Sequence, residues 1–475
     1  MHGYDGGSYW MESAPPGAPH PSLDRDVDAD VVVVGAGIAG LCAARELVRA
    51  GREVVVLEAG RIAAGVTGHT TGKLTALHGL RYARLRGERG AEAAAQYAEA
   101  QLGALRDVVD ACAELGIDAE IERRPAYTYT LDSGNEEQIR AEAEAAAEAG
   151  LPAEAVTDTG LPYAVAAAVR VDDQLQFHAR RFVLGVADDL IARGGRVYEN
   201  SRVTEVREDE ADRGVTVEGG FTVRARDVVL ATNFPLRCPA ALLLRLSVSR
   251  ELVVAAVVDE RHAPYGMYVT SDGGTRSVRS APAGEGRRLL IVAGEAFEPG
   301  AGGVRHRFGR LEAWASGQLP GFADAPQVHR WAAQDVHTAD GLPCVGPLGP
   351  EGSGAAHLHV ATGFGGWGLS NGVAAGRLLA ASLTGGALPA WAGLVDPRRS
   401  LPLRDYPGVA RHQASVARHF ASGFVPRTRR CTHMGCAMGF NHAENTWECP
   451  CHGSRFAADG TVLQGPATRP LGDDD

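Results

Sequence analysis

Cys431-Thr432-His433 and Cys449-Pro450-Cys451-His452 place four donor side chains in two short segments near the C-terminus, with 12 residues between Cys436 and Cys449. Cys-x-His paired with Cys-x-x-His is a metal-holding arrangement. Two thiolates on one iron and two neutral imidazoles on the other would complete a [2Fe–2S] centre, and a tetrahedral zinc site needs the same four donors. A second chemical signature lies near the N-terminus, where Gly35-x-Gly37-x-x-Gly40 is followed 18 residues later by Glu58. Glycines at this spacing let a backbone approach a pyrophosphate at a helix N-terminus, and the carboxylate can accept hydrogen bonds from both ribose hydroxyls. An acid there disfavours a 2′-phosphate. A dinucleotide and a metal centre in one chain imply redox chemistry.

These residues need rigid supports, and the apolar patterning supplies them. Val31-Val32-Val33-Val34, an Ala/Leu/Arg helix reaching Ala50 and Val54-Val55-Val56 read as strand, helix, strand around the glycine turn. Leu102, Leu105, Val109 and Cys112 recur on one face of a helix expected over 91–115, and a second helix is expected over 136–149. A helix at 180–192 leads through Gly194-Gly195 into Val197-Tyr198, and Val228 to Thr232 is another strand. Alternating apolar runs and turns between 250 and 292 predict antiparallel strands, and from Leu358 the chain returns to strand, glycine turn and helix, ending near Thr384.

The domain reading is a loose tail over 1–27, one large unit over 28–384, a proline-containing linker over 385–411 and a small unit over 412–475. With a formal charge of −11, nucleic acid is not expected as a partner, and no apolar run reaches the length of a membrane span. Eight cysteines in 475 residues are too few for a disulfide scaffold, which points to the cytoplasm. Lys73 is the sole lysine among many arginines, a bias that reads as the genome composition of a high-GC bacterium.

From about Asp30 to Thr384 the motifs resemble the D-amino-acid-oxidase-like flavoproteins, which include glycine and sarcosine oxidases. The likeness rests on the opening strand-helix-strand unit, Gln176-Phe177-His178, Trp331 through Thr338-Ala339-Asp340-Gly341-Leu342-Pro343, and His359 to Ser370. It implies an α/β fold: a Rossmann-like FAD-binding domain (about 28–82, 165–234 and 335–384) with an inserted α+β substrate domain (about 83–164 and 235–334). FAD would then contact Gly35, Gly37, Ile38, Ala39, Gly40, Glu58, Ala59, Val203, Ala231, Thr232, Gly363, Gly366, Trp367 and Leu369. The segment Thr67-Gly68-His69-Thr70-Thr71-Gly72-Lys73 falls where relatives wrap the flavin, so Thr67, His69, Thr70 and Thr71 join that set, and His69 is either a covalent link or a polar contact.

Relatives oxidise a carbon bearing an amine. In glycine-oxidase-like members an arginine that clamps the substrate carboxylate occupies the position of Asp335, and an acid there favours an ammonium. Asp335, Trp367 and Tyr129 are the catalytic candidates, Tyr127, His262, Tyr265 and Tyr268 are candidate pocket walls, and Arg245 and Arg250 are surface arginines or anchors for an acidic group.

The C-terminal segments resemble Rieske domains, with Cys431, His433, Cys449 and His452 as cluster ligands. The resemblance to the cytochrome bc type implies a disulfide between Cys436 and Cys451, which would otherwise be free thiols. Ser454 stands where that type donates a hydroxyl to the cluster, but Phe456 replaces the usual tyrosine, which lowers the expected potential. Gly465-Pro466-Ala467 and Pro470-Leu471 resemble the proline loop of such domains. Residues 412–430 lack the alternation of the strands expected before the first ligand, so either the large unit completes the fold or the domain is compromised. Arg427, Arg429 and Arg430 could dock an acidic carrier.

The expected activity is dehydrogenation of an amine or amino-acid-like molecule, with electrons passing from FAD through the cluster to a one-electron acceptor protein or a quinone. The alternatives are oxidation of a C–C or C–O bond in specialised metabolism, and an electron-transfer module without organic substrate.

Overall fold

The computed structural model describes residues 7–209, 213–425 and 428–472. Three sheets organise the chain. The first places Val27–Val34 at its centre, parallel to Val54–Leu57 on one side and Thr222–Leu230 on the other, with Val33 registered against both Val56 and Val229. Leu358–Thr362 and Arg196–Tyr198 extend it in parallel, and Cys344–Pro347 adds an antiparallel edge. Val31 to Val34 are buried because both faces of this sheet are covered, which explains their unbroken run of valines. Helices Ile38–Arg49, Ala91–Leu115, Ala179–Ala192 and Gly368–Thr384 contribute to the cluster on one face.

The second sheet has nine strands, and its longest pair, Leu246–Asp259 and Val328–Thr338, runs antiparallel from Leu246 opposite Thr338 to Ala256 opposite Val328. The antiparallel strands expected over 250–292 form here. The subdomain boundaries move, however. Ala167–Gln176 and Lys73–Leu74, expected in the FAD part, belong to the second sheet, where Ala167–Gln176 pairs with both Glu122–Thr130 and Lys73–Leu74. Val328–Thr338 likewise stays in that sheet beyond residue 335. Backbone pairing between distant segments decides this membership, and local patterning does not report it.

The tail expected to be loose is packed over its described residues. Helix Tyr9–Ser13 is capped by Ser8, and Trp10 is 1% exposed, packed with Val253, Leu289 and Trp331. Its indole donates to Thr70 O (2.7 Å), Ser8 Oγ donates to Gly68 O, and Arg180 donates to Ala14 O (2.6 Å). Composition reads this segment as solvated, yet one tryptophan and one serine bind it across the 67–71 loop.

The third sheet holds four short antiparallel strands, Gly439–Asn441, Thr446–Glu448, Arg455–Ala457 and Val462–Gln464. Ahead of it, among the described residues, a helix stands where strands were expected: Tyr406–Ser422 starts inside the expected linker and continues past residue 412. The large unit provides the missing support. Gly300 N donates to Glu448 Oε2 (2.9 Å), Arg305 to His442 O (2.8 Å) and Arg202 to Val462 O (2.9 Å).

Candidate functional site

The glycine turn follows Val27–Val34 directly. Gly35 takes φ +107°, a conformation that excludes most side chains, and a Cβ there would sit 2.6 Å from Ala231 O. Gly37 opens helix Ile38–Arg49, and a Cβ at Gly40 would collide with the carbonyl oxygen of Gly35. Glu58 reaches back to the turn: Ala36 N donates to its Oε2 and Gly60 N to its Oε1, both at 2.9 Å. Burial pushes its carboxyl upward while these two N–H groups pull it down.

A cavity of about 550 Å³ opens from this turn. Its wall includes Gly35, Gly37, Ile38, Ala39, Glu58, Ala59, Thr67, His69, Thr70, Thr71, Val203, Ala231, Thr232, Gly366 and Leu369. A groove that only glycine can form, a helix N-terminus and a carboxylate at the end of the neighbouring strand fit the pyrophosphate and ribose of FAD. Helix Gly368–Thr384 also starts at this cavity, which Gly366, Gly368 and Leu369 line, and its N-terminus carries a partial positive charge suited to an electron-rich flavin ring. His69 lines the wall, with Nδ1 bonded to Gly65 O at 2.9 Å.

Not every candidate reaches the cavity. Gly40 acts beneath it by close packing, and a Cβ at Gly363 would press on Thr338 in the turn before the helix. Trp367 stacks on His78 with ring centroids 4.4 Å apart, outside the cavity wall. Tyr129 is 1% exposed and bonds Tyr163 Oη at 2.9 Å, and Tyr127 stacks on Tyr268 in the core. Tyr265 points to solvent at 63% exposure. Of the catalytic candidates only Asp335 lines the cavity.

Asp335 has a neighbour that sequence reading did not find. Ser249 is registered opposite Asp335, so Glu251, two residues along, shares its sheet face, and both line the cavity. Burial raises both carboxyls, Glu251 to about 7, while the Gly366 N–H pulls Asp335 back. Lys73, bonded to Ser277 Oγ, interacts electrostatically with Glu251, and its own burial lowers it to about 7.

The Cys/His loops project from the third sheet. Cys431 and Cys449 are buried and hydrogen-bonded to each other, while Cys436 and Cys451 form a disulfide. The Cys436, Cys449 and Cys451 sulfurs lie within 4.8 Å of one another, but the disulfide removes two of them as ligands. The His433 and His452 rings are 5.1 Å apart, and buried His452 Nδ1 has no hydrogen-bond partner among the described residues. Two thiols, two imidazoles and an orphaned ring nitrogen fit a [2Fe–2S] cluster. Ser454 Oγ accepts from Ala467 N (3.0 Å), which holds the proline loop against the ligand loops.

Both sites meet at one boundary. Glu444, Thr446, Leu463, Gln464 and Ala467 of the small unit complete the wall of the nucleotide cavity. Gln334 lines that cavity and donates to Gly453 O (3.1 Å), its carbonyl accepts from Asn233 Nδ2 (3.0 Å), and the Phe234 ring lies 5.2 Å from that of His452. Arg245 and Arg250 are not surface groups. Arg245 donates to the carbonyl of Arg399 (2.9 Å), whereas Arg250, 1% exposed, pairs with both Glu444 and Glu448. Replacing Arg250 by Met leaves two buried carboxylates short of a cation and is expected to cost about 3–5 kcal/mol. Thermal melts followed at flavin and cluster wavelengths test this, and an unchanged melt would refute it. Arg429 stacks on Trp447 and donates to Gly472 O (3.0 Å), Arg430 is exposed, and Arg427 lies outside the described residues.

Comparison with known proteins agrees with both halves. The FAD dependent oxidoreductase family matches residues 30–382 and the Rieske [2Fe-2S] domain matches residues 408–473. The chain is 28% identical to the Rieske-type protein YhfW of Bacillus subtilis (strain 168), across 98% of this chain and 96% of YhfW. In fold it is similar to glycine oxidase from Geobacillus kaustophilus (TM-score 0.63, 22% identity, 79% of this chain and 100% of that one). L-proline dehydrogenase from P. horikoshii is similar to a like degree (TM-score 0.61, 18% identity, 80% and 98%). The enzyme uses FAD and a [2Fe–2S] cluster, and no helix among the described residues is long and apolar enough to cross a membrane. With its family-wide match over the large unit and its Rieske unit behind, the chain belongs to the FAD-dependent oxidoreductases of the D-amino-acid-oxidase-like type.

Proposed function

We propose that this oxidoreductase dehydrogenates the C–N bond of an amine-bearing small molecule and passes the electrons within the chain to its Rieske unit, for delivery to an external one-electron acceptor. The observation that carries the reading is the Glu251–Asp335 pair in a cavity whose wall is shared by the nucleotide turn and the small C-terminal unit. Bound FAD supplies a two-electron acceptor and the cluster a one-electron outlet. Cys431, His433, Cys449 and His452 hold the cluster, and the cavity residues around Gly35, Gly37 and Glu58 hold the flavin nucleotide.

Glu251 and Asp335 bind and orient an ammonium, and the pair of acids turns away a substrate carboxylate. Lys73 draws Glu251 down electrostatically against the upward pull of burial, and burial brings the two groups to the same range. Gln334, which lines the cavity, donates to Gly453 O and so ties the second ligand loop to the cavity wall.

Because Glu251 is raised, it gains its proton as pH falls through about 7, and affinity for the ammonium declines with it. The kcat/KM profile is therefore expected to rise through about pH 7. Glu251→Gln should flatten that rise and lower kcat/KM about 10–100-fold, the loss of one charged hydrogen bond. An unaltered profile would remove Glu251 from the reading. The decisive experiment is an anaerobic titration with single amines, following flavin absorbance and the Rieske EPR signal together. Bleaching accompanied by the signal supports the proposal. Bleaching without the signal makes oxygen the acceptor, and no bleaching by any amine returns the C–C and C–O alternatives.

A further inference from the structure

Helix Tyr406–Ser422 has no buried residue, unlike the long helices of the large unit. One side is seated: Val416 packs against the cluster around the Cys/His loops, His419 Nε2 lies 3.8 Å from Glu298 Oε1, and His419 O accepts from Ala437 N (2.9 Å) beside the first ligand loop. The opposite side carries Tyr406, Ala410, Ala417, Ala421 and Phe424 at helical spacing, all exposed, with exposed Arg411 and Arg418 flanking them. Apolar side chains protrude at both ends of the strip: Leu403 is 88% exposed, Phe424 69% and Val425 57%.

The same stretch of chain is basic. No Asp or Glu occurs between Asp405 and Glu444, a span that contains Arg411, Arg418, Arg427, Arg429 and Arg430 in a chain of net charge −11. An apolar line bordered by Arg411 and Arg418, on a helix that itself carries no acid and whose neighbouring Glu298 faces His419 on the seated side, is complementary to a negatively charged surface with an apolar interior.

We infer that this face seats the protein on an anionic lipid membrane, with the exposed apolar side chains entering the headgroup region and the arginines meeting lipid phosphates. The shape of the patch favours a plane over a small carrier protein. A 17-residue helix is about 25 Å long, and the apolar residues run its full length and past both ends. Docking sites for transient redox partners are compact and centred on the redox group. Since exposed Met434 follows His433 in the loop that the helix end supports, docking brings that side of the Rieske unit towards the lipid. The inference stands independently of what the cavity oxidises.

Co-sedimentation of the flavin- and cluster-loaded full chain with phosphatidylglycerol/phosphatidylcholine vesicles, and with phosphatidylcholine alone, tests it. Binding is expected on the anionic vesicles, weaker in high salt, and reduced at least about tenfold in Arg411→Glu/Arg418→Glu and in Phe424→Ser/Val425→Ser. Each variant should keep both chromophores, which separates lost docking from lost folding. Failure to bind anionic vesicles, or binding untouched by both variants, overturns the inference. So does a wild type that ignores vesicles while the arginine variant loses reduction of an acidic carrier protein, since the face would then belong to that carrier. None of these results depends on amine oxidation.

Discussion

Cys449→Ser is expected to abolish the Rieske EPR signal while flavin absorbance survives. Cys449 is 1% exposed and faces Cys431, and the nearest other sulfurs, Cys436 and Cys451, are joined to each other, so no thiol is free to replace it. A serine hydroxyl is not deprotonated at neutral pH and makes a poor iron ligand. Since the nucleotide turn is built by Val27–Val34 and Ile38–Arg49, far from this loop in sequence, amines should still bleach the flavin anaerobically. Turnover with cytochrome c as a probe acceptor should fall at least about 100-fold, more than the loss of a residue that merely supports a ligand. Retention of both the signal and turnover would exclude Cys449 as a ligand. Loss of turnover together with loss of flavin bleaching would mean that the substitution damages the large unit as well.

Gly40→Val is expected to give a protein that keeps its cluster and loses its flavin. The helix that bears Gly40 lies so close to the turn that a Cβ meets the Gly35 carbonyl oxygen, which is backbone and cannot rotate away. The helix must then move off the strand, and the N–H groups that would face the pyrophosphate move with it. Overpacking of this kind costs about 1–3 kcal/mol, which corresponds to FAD binding weaker by about 5–150-fold. Gly40→Ala should fall between wild type and valine. Flavin content after gel filtration, read against the cluster EPR signal of the same sample, separates a local defect from global unfolding. Full flavin occupancy in the valine variant would show that the helix can shift without consequence.

What the sequence makes legible here is local. The strand, turn and helix around Gly35 and the paired Cys/His loops each carry their determinants within a few dozen residues, so spacing alone reports them. The expected helix over 91–115 forms as Ala91–Leu115 for the same reason. Long-range pairing was not legible. Arg250 meets Glu444 across 194 residues, and nothing near Arg250 distinguishes it from a surface arginine. Glu251 escaped notice because its partnership with Asp335 exists only once two strands are in register. Tyr129 and Trp367 fell in segments with the right resemblance, but a segment does not tell which way a side chain points, and both turn into packing. The N-terminal residues misled through composition, since glycine, proline and serine conceal one tryptophan that finds its neighbours far along the chain.

That tryptophan also bears on the order in which the molecule can be completed. Synthesis delivers Trp10 first, whereas its packing partners Leu289 and Trp331 arrive late, and a contact of such sequence separation closes slowly. The loop at Thr70, held by the Trp10 indole, thus lacks its clasp until strand Val328–Thr338 has been made. Val27–Leu57, by contrast, can assemble its turn early from neighbours in sequence. The nucleotide cradle can therefore form before the clasp that fixes the Thr70 side of its cavity, so the two walls of one cofactor site belong to different stages of biogenesis.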